Sequence, residues 1–83
     1  MMSWFGKSYK DEALVMQAEQ ALAEDVILNN VSGLGITSEN GIVSLGGLVN
    51  SERERSHAEQ IVRNALRRAS LAHEEVVNEI AVK

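Results

Sequence analysis

The sequence predicts a small α+β domain with the order helix, strand, strand, helix, strand, in which two helices cover one face of a three-stranded sheet. Three features support this fold: an Asn-Gly turn between two alternating apolar runs, a Ser-x-x-Glu start to a long helical pattern, and a last alternating run. The preferred right-handed crossover of a strand-helix-strand unit places both helices on the same face. At 83 residues, the chain has room for one core.

The first helix is predicted from Tyr9 to Asp25. Its apolar residues form one narrow stripe at helical spacing, and acidic and amide side chains fill the rest of its surface. Ser8 and Asp11 form a weak capping box whose side-chain oxygens would accept hydrogen bonds from the first turn. The stripe consists of Leu14, Val15, Ala18, Ala21 and Leu22.

Asn40 and Gly41 predict a two-residue hairpin turn, because both tolerate the positive φ angles of a type I′ turn. This turn fixes the register of the strands by placing Glu39 opposite Ile42. One face of the hairpin is then apolar, and the other is mixed and expected to stay bare. We predict that Gly47 lets a helix approach the apolar face closely. That face consists of Leu34, Ile36, Ser38, Val43, Leu45, Gly47 and Val49.

A second helix begins after Ser51, which forms a complete capping box with Glu54, and no proline or glycine follows. One side of this helix is apolar and the opposite side is basic. The last strand is predicted from 75 to 83, again with alternating sides. The apolar side of the helix carries Ala58, Ile61, Val62, Ala65 and Leu66, and the basic side carries Arg53, His57, Arg63, Arg67 and Arg68.

From about residue 11 to residue 82, these elements resemble the BON domain family, which is named for bacterial osmotic-shock and nodulation proteins. The family pattern is a glycine turn, a strand V-x-L-x-G-x-V, a helix with an early alanine, and a closing V-x-N-x-I-x-V. The family's usual Gly-Val ahead of the closing strand is replaced here by residues 71–74. The pattern is matched by Gly41, Val43, Leu45, Gly47, Val49, Ala58, Val76, Asn78, Ile80 and Val82.

The resemblance implies a non-catalytic module without a cofactor, which binds phospholipid surfaces or protein partners in the bacterial envelope. It implies a periplasmic or membrane-associated location, and it carries over no catalytic residue. Three residues match the family pattern in structural roles: Gly41 in the turn, Gly47 in helix packing and Asn78 in strand-end hydrogen bonding.

Two groups of residues are candidates for contact with a lipid or partner. Residues 1–10, which we set apart from the domain at 11–83, place Trp4 and Phe5 beside Lys7, as suits a membrane interface. The same composition is equally consistent with a segment that folds back over an apolar surface of its own subunit or of a neighbouring subunit. A disordered segment is the third alternative. The second group is the arginine face of the second helix, which could bind anionic lipid headgroups or an acidic protein partner. The alternative is an ordinary helix face that only contacts solvent. The arginine face consists of Arg53, Arg63, Arg67 and Arg68.

Composition excludes several classes of function. Without cysteine, the chain has no disulfide, thiol nucleophile or Cys-based zinc site. A net charge of −4 argues against a nucleic-acid partner. No apolar run has transmembrane length, and residues 1–10 lack the apolar stretch of a secretory signal. The chain as written is therefore expected to be soluble and uncleaved. The sequence does not determine its cellular compartment. His57, Asp25 and Glu59 are expected on solvated helix surfaces, and no spacing indicates a metal site.

Two functions therefore remain, and neither is an enzyme. The first is a non-catalytic binding module for a phospholipid membrane surface or an envelope protein. The second is a homo-oligomerising module, with subunits joined through the bare sheet face around Ile42 and Leu48, through an exposed strand edge, or through residues 1–10, which we call the aromatic segment.

Overall fold

The computed structural model describes residues 9–28, 31 and 33–83, and within them the predicted α+β order is confirmed. The predicted N-cap at Ser51 is confirmed, since its Oγ accepts from Glu54 N at 3.2 Å. The reciprocal bond of the predicted capping box differs, because Glu54 Oε1 accepts from Asn50 N at 2.9 Å and not from the Ser51 amide. The elements are α1 Asp11–Glu24, β1 Gly35–Glu39, β2 Ile42–Gly46, β3 Leu48–Val49, α2 Glu52–Arg68, β4 Glu75–Asn78 and β5 Ala81–Val82.

The main sheet has the order β1-β2-β4, with β2 antiparallel to β1 and parallel to β4. The predicted hairpin register is confirmed: Glu39 pairs with Ile42, and the turn residues Asn40 and Gly41 have φ angles of 51° and 83°. Ile42 and Leu48 are 42% and 46% exposed, as expected for a bare face. Self-association through that face stays a prediction.

The two longer predicted strands are each interrupted, which the sequence pattern did not indicate. Gly47, with φ of 129°, separates β2 from β3, and the opposing tract is interrupted between β4 and β5. The register continues through the break, because Leu45 lies opposite Asn78 and Leu48 lies opposite Ala81, three residues further along each strand. The small parallel pair of β3 and β5 therefore extends the sheet in the same register.

The prediction that Gly47 lets a helix approach was wrong. A Cβ at this position would lie 2.4 Å from the carbonyl oxygen of Gly33 and 3.0 Å from Leu34 Cα. The backbone that enters β1 thus crosses directly over Gly47. A side chain is excluded both by this approach and by the positive φ angle.

The core lies between the two helices and the apolar face of the sheet, as predicted. α1 contributes the three buried residues Leu14, Ala18 and Leu22, and the loop after it contributes Leu28. All these side chains join one cluster with both helices on the same side of the sheet. The other members are Ile36, Val43, Leu45, Val49, Ala58, Val62, Leu66, Val76 and Ile80.

α2 ends in a Schellman motif, which compensates for the glycine missing from this connection. Ser70 takes the left-handed conformation with φ of 56°. The Leu71 amide donates to Leu66 O at 3.1 Å and the Ser70 amide donates to Arg67 O at 3.1 Å, which is the bond pattern of that motif. The helix therefore stops at Arg68, and the chain turns back toward β4.

Candidate functional site

The end of α2 that carries Arg67 and Arg68 lies at the same end of the molecule as Lys10. The helices run antiparallel: Asp25, after α1, bonds to His57 in α2, whereas Lys10, before α1, lies beside residues 70–72, after α2. Lys10 and residues 70–72 line an open depression of about 210 Å³. We use "basic end" for the exposed side chains of Lys10, Arg67 and Arg68.

The other predicted arginines lie elsewhere. Arg53 is exposed in the first turn of α2, about 21 Å along the helix from Arg67 at 1.5 Å per residue. Arg63 is engaged within the fold, because its Nε donates to Glu59 Oε2 at 2.8 Å and its guanidinium donates to Val76 O at 3.4 Å. Glu59 is therefore not simply a solvated residue, and its pKa is lowered by hydrogen bonds from Arg63 and Asn78.

Trp4, Phe5 and Lys7 lie outside the described residues, so their predicted role is not tested. The described chain starts at Tyr9, directly before Lys10 of the basic end. The segment that carries these aromatic and basic residues is therefore joined to the molecule at this end.

Asp11 holds the start of α1 against the hairpin turn and does not cap the helix, so that part of the capping prediction was wrong. Its carboxylate accepts from Ser38 Oγ at 2.7 Å, Asn40 N at 3.0 Å and Gly41 N at 2.9 Å. The Gly41 bond, followed by that from Ser38, keeps the pKa of Asp11 below its ordinary value. No local sequence pattern indicates this contact, which joins residues about thirty positions apart.

Tyr9 adds a second contact at the same turn. Its hydroxyl donates to the Glu74 carboxylate, and this bond raises the pKa of Tyr9. The Tyr9 ring covers Gly41, where a Cβ would lie 2.6 Å from Tyr9 Cδ1, and the Glu74 amide donates to Gly41 O at 2.7 Å. The predicted turn role of Gly41 is confirmed, and these contacts fix Lys10 relative to the sheet.

The predicted hydrogen-bonding role of Asn78 is also confirmed. Its Nδ2 donates to Arg55 O at 3.0 Å and to Glu59 Oε1 at 3.2 Å, and its Oδ1 accepts from Ile80 N at 3.1 Å. Asn78 thus connects α2 to the closing tract, which consists of β4, β5 and the residues between them. It also provides a partner for the Ile80 amide at the interruption between the two strands.

Arg55 is a structural arginine that the sequence reasoning missed. Its Nε donates to Ile80 O at 2.9 Å and its guanidinium donates to Asn78 O at 3.2 Å and Glu52 Oε2 at 2.9 Å. A signal was available, because a helical wheel places Arg55 on the apolar side of α2 and not among the other arginines. A basic residue on that side needs an acceptor within the fold.

His57 and Asp25 were predicted to be solvated, and the structure corrects this. His57 Nε2 lies 3.0 Å from both carboxylate oxygens of Asp25, whose side chain is only 12% exposed. The same carboxylate accepts from Ile27 N at 3.1 Å and Leu28 N at 3.0 Å. Burial raises the pKa of Asp25, but the hydrogen bonds from His57, Leu28 and Ile27 outweigh burial and hold the pKa below its ordinary value.

We expect Asp25 to contribute to the acid sensitivity of the fold. Its pKa is lower in the folded chain than in the unfolded chain, where it is about 3.9, so its stabilisation is present above that pH and is lost below it. Asp25→Asn should lower the free energy of unfolding at pH 7 by about 1 kcal/mol and flatten its decline between about pH 4 and pH 2. Urea unfolding at several pH values measures both effects. Glu19→Gln, an exposed change on the preceding helix α1, is the control. An unchanged pH profile in Asp25→Asn would contradict this role.

The carboxyl groups with shifted pKa values in the described part of the chain all have structural partners. These lowered pKa values, at Asp11, Asp25 and Glu59, belong to groups that hold the fold together and are far from the near-neutral value of a general base. Within the same residues, no group of three or more His, Cys, Asp or Glu side chains is placed to hold a metal ion. Neither described helix combines the length and the apolarity needed to cross a membrane.

Comparison with known proteins agrees with this architecture. A search of curated proteins gave no match for the chain. The family model described as "BON domain" matches residues 10–83, which include the whole hairpin, both helices and the closing tract. The chain therefore belongs to the BON domain family of non-catalytic binding modules.

Proposed function

We propose that this domain associates with the surface of an anionic phospholipid membrane in the bacterial envelope, and that the basic end faces the lipid. The observation that carries the proposal is that Lys10 lies at the same end of the molecule as the last turn of α2, which carries the exposed Arg67 and Arg68. The antiparallel helices place the C-terminal turn of α2 beside the residue at which the aromatic segment joins the domain. In this proposal Trp4 and Phe5 enter the interface region of the bilayer, while Lys7 adds to the basic charge.

The charge distribution supports a local and salt-sensitive attraction. The whole chain carries a net charge of −4, so a membrane would attract one end of it and not the molecule as a whole. Each Lys or Arg close to an anionic leaflet contributes about 1 kcal/mol, and this contribution decays within a Debye length. Arg55 and Arg63 contribute less, because their guanidinium groups are paired with Glu52 and Glu59.

Charge reversal at the basic end tests the proposal. Arg67→Glu combined with Arg68→Glu should weaken binding to phosphatidylserine-containing vesicles by roughly 30-fold or more, since two contributions of about 1 kcal/mol are lost. Co-sedimentation with vesicles of phosphatidylcholine and phosphatidylserine measures the change, and circular dichroism verifies that α2 is intact.

The matched control is Arg53→Glu combined with Lys83→Glu, which alters the net charge equally but away from the basic end. Arg53 and Lys83 are both exposed, and they follow the adjacent strands β3 and β5. This variant should bind within about threefold of the original chain, as expected for charges beyond a Debye length from the lipid. Equal losses in both variants would show that only net charge matters, and no binding by the unaltered chain would refute the proposal.

A further inference from the structure

The two edges of the sheet differ in whether their outward backbone groups have partners. Along the closing tract, the amides of Glu75, Glu79 and Ala81 donate toward β2 and β3, so the alternate residues direct their backbone groups outward. Arginines of α2 occupy three of these outward carbonyls: Arg63 bonds to Val76 O, and Arg55 bonds to Asn78 O and Ile80 O.

This arrangement protects the β4 edge against the addition of another strand. An incoming strand would have to displace charged hydrogen bonds of 2.9 Å, 3.2 Å and 3.4 Å before it could pair. Covering an edge in this way is one means by which proteins prevent unwanted strand pairing. Any strand added to this sheet is therefore directed to the opposite edge, which is β1.

The β1 edge has no such protection among the described residues. The carbonyls of Gly41 and Leu45 accept hydrogen bonds from the closing tract, so the odd-numbered residues of β2 direct their backbone groups toward β4. The even-numbered residues of β2 therefore bond to residues 35, 37 and 39 of β1. The amides and carbonyls of Ile36 and Ser38 therefore point outward. Within the described chain these groups have no hydrogen-bond partner, and β1 contains no proline, lysine or bulge.

We propose that β1 pairs antiparallel with β1 of a second copy of this chain, forming one continuous sheet across a two-fold axis at Thr37. This pairing places Ile36 opposite Ser38 of the second copy, so the outward groups of both residues form the hydrogen-bonded pairs. It also places Glu39, the only charged residue of β1, opposite Gly35 and not opposite a second Glu39. The strand is thus complementary to itself in charge and in hydrogen bonding.

An apolar depression beside this edge supports a second copy as the occupant. Val15 and Met16 of α1 line an open depression of about 380 Å³ together with Ser38 of β1 and the acidic residues Asp11 and Glu12, and Met16 is 68% exposed. Both helices lie on the same face of the sheet, so the α1 helices of the two copies would flank the axis on that face. Their Met16 side chains would then fill the depressions, and unbranched Met adapts well to such irregular gaps.

A single-cysteine experiment tests this geometry, because the chain has no cysteine of its own. Thr37→Cys lies on the exposed face at the proposed axis, where paired Cα atoms would be about 4.5 Å apart, within disulfide range. The control Ser44→Cys lies on the same face one strand further in, where the paired distance would be about 14 Å. With diamide as oxidant, we expect a covalent dimer from Thr37→Cys and at least tenfold less from Ser44→Cys.

The mass of the unmodified chain gives an independent readout. An interface this small belongs to the weak class, so sedimentation should show the 9.1 kDa chain doubling in mass between about 10 µM and 1 mM. Thr37→Lys, which places two positive charges at the axis, should suppress this doubling, whereas Ser44→Lys should not. A monomer throughout this range, or a covalent dimer formed as readily by Ser44→Cys, would overturn the proposal; the second result would indicate contact through the bare faces.

Discussion

Gly47→Ala is expected to lower the free energy of unfolding by about 3 kcal/mol, out of a total of about 4–12 kcal/mol for a domain of this size. Two costs combine here. The φ angle of 129° is strained for a residue with a side chain, and the added Cβ would lie 2.4 Å from the backbone oxygen of Gly33. Because the obstacle is backbone, the clash can be relieved only by shifting the segment that enters β1.

The neighbouring glycine provides a matched control. A Cβ at Gly46 would meet nothing within 4 Å, and Gly46 does not have a positive φ angle. Gly46→Ala should therefore change stability by less than about 1 kcal/mol. Urea unfolding followed by circular dichroism compares the two variants. Equal effects would show that the crossing of residues 33–34 over Gly47 does not constrain the fold.

Leu14→Ala should destabilise the domain by about 3–4 kcal/mol, because it removes a fully buried side chain and leaves a cavity. α1 has only a narrow buried stripe of Leu14, Ala18 and Leu22, so the loss of its first leucine removes a large share of its attachment to the core. The position of Lys10 depends on that attachment. Loss of the Leu14 side chain would therefore also release Lys10 from its position near the end of α2.

Leu48→Ala is the control for the leucine experiment, since it removes the same atoms from a side chain that is 46% exposed. We expect a loss of less than about 1.5 kcal/mol, in line with the partial burial of Leu48. Thermal and urea unfolding of both variants provide the comparison. A larger loss at Leu48 than at Leu14 would contradict the position of the core between the helices and the sheet.

Local rules were sufficient to predict much of the fold. The Asn40-Gly41 turn specified the hairpin register, and Ser51 with Glu54 specified the start of α2, because both signals act within a few residues. The single apolar face of the sheet followed from the two-residue period. The placement of both helices on that face followed from the crossover rule.

The features that were missed depend on contacts between distant parts of the chain. The carboxylate of Asp11 bonds to the hairpin turn and Asp25 bonds to His57, and neither pairing follows from spacing along one element. The crossing of Gly33 over Gly47 and the resulting break in the strand are likewise tertiary. For the candidate site, composition identified the arginines, but only the fold distinguished the engaged Arg63 from the exposed Arg67 and Arg68.

The fluorescence of Trp4 tests the central claim most directly, since it is the only tryptophan in the chain and reports on the segment joined to the basic end. Emission would be recorded during titration with phosphatidylserine-containing vesicles and with pure phosphatidylcholine vesicles. The account predicts a blue shift with the anionic vesicles alone, reversed by about 0.5 M salt and absent in Arg67→Glu with Arg68→Glu. An emission maximum that anionic vesicles leave unchanged, or that neutral vesicles shift equally, would contradict membrane association through the basic end.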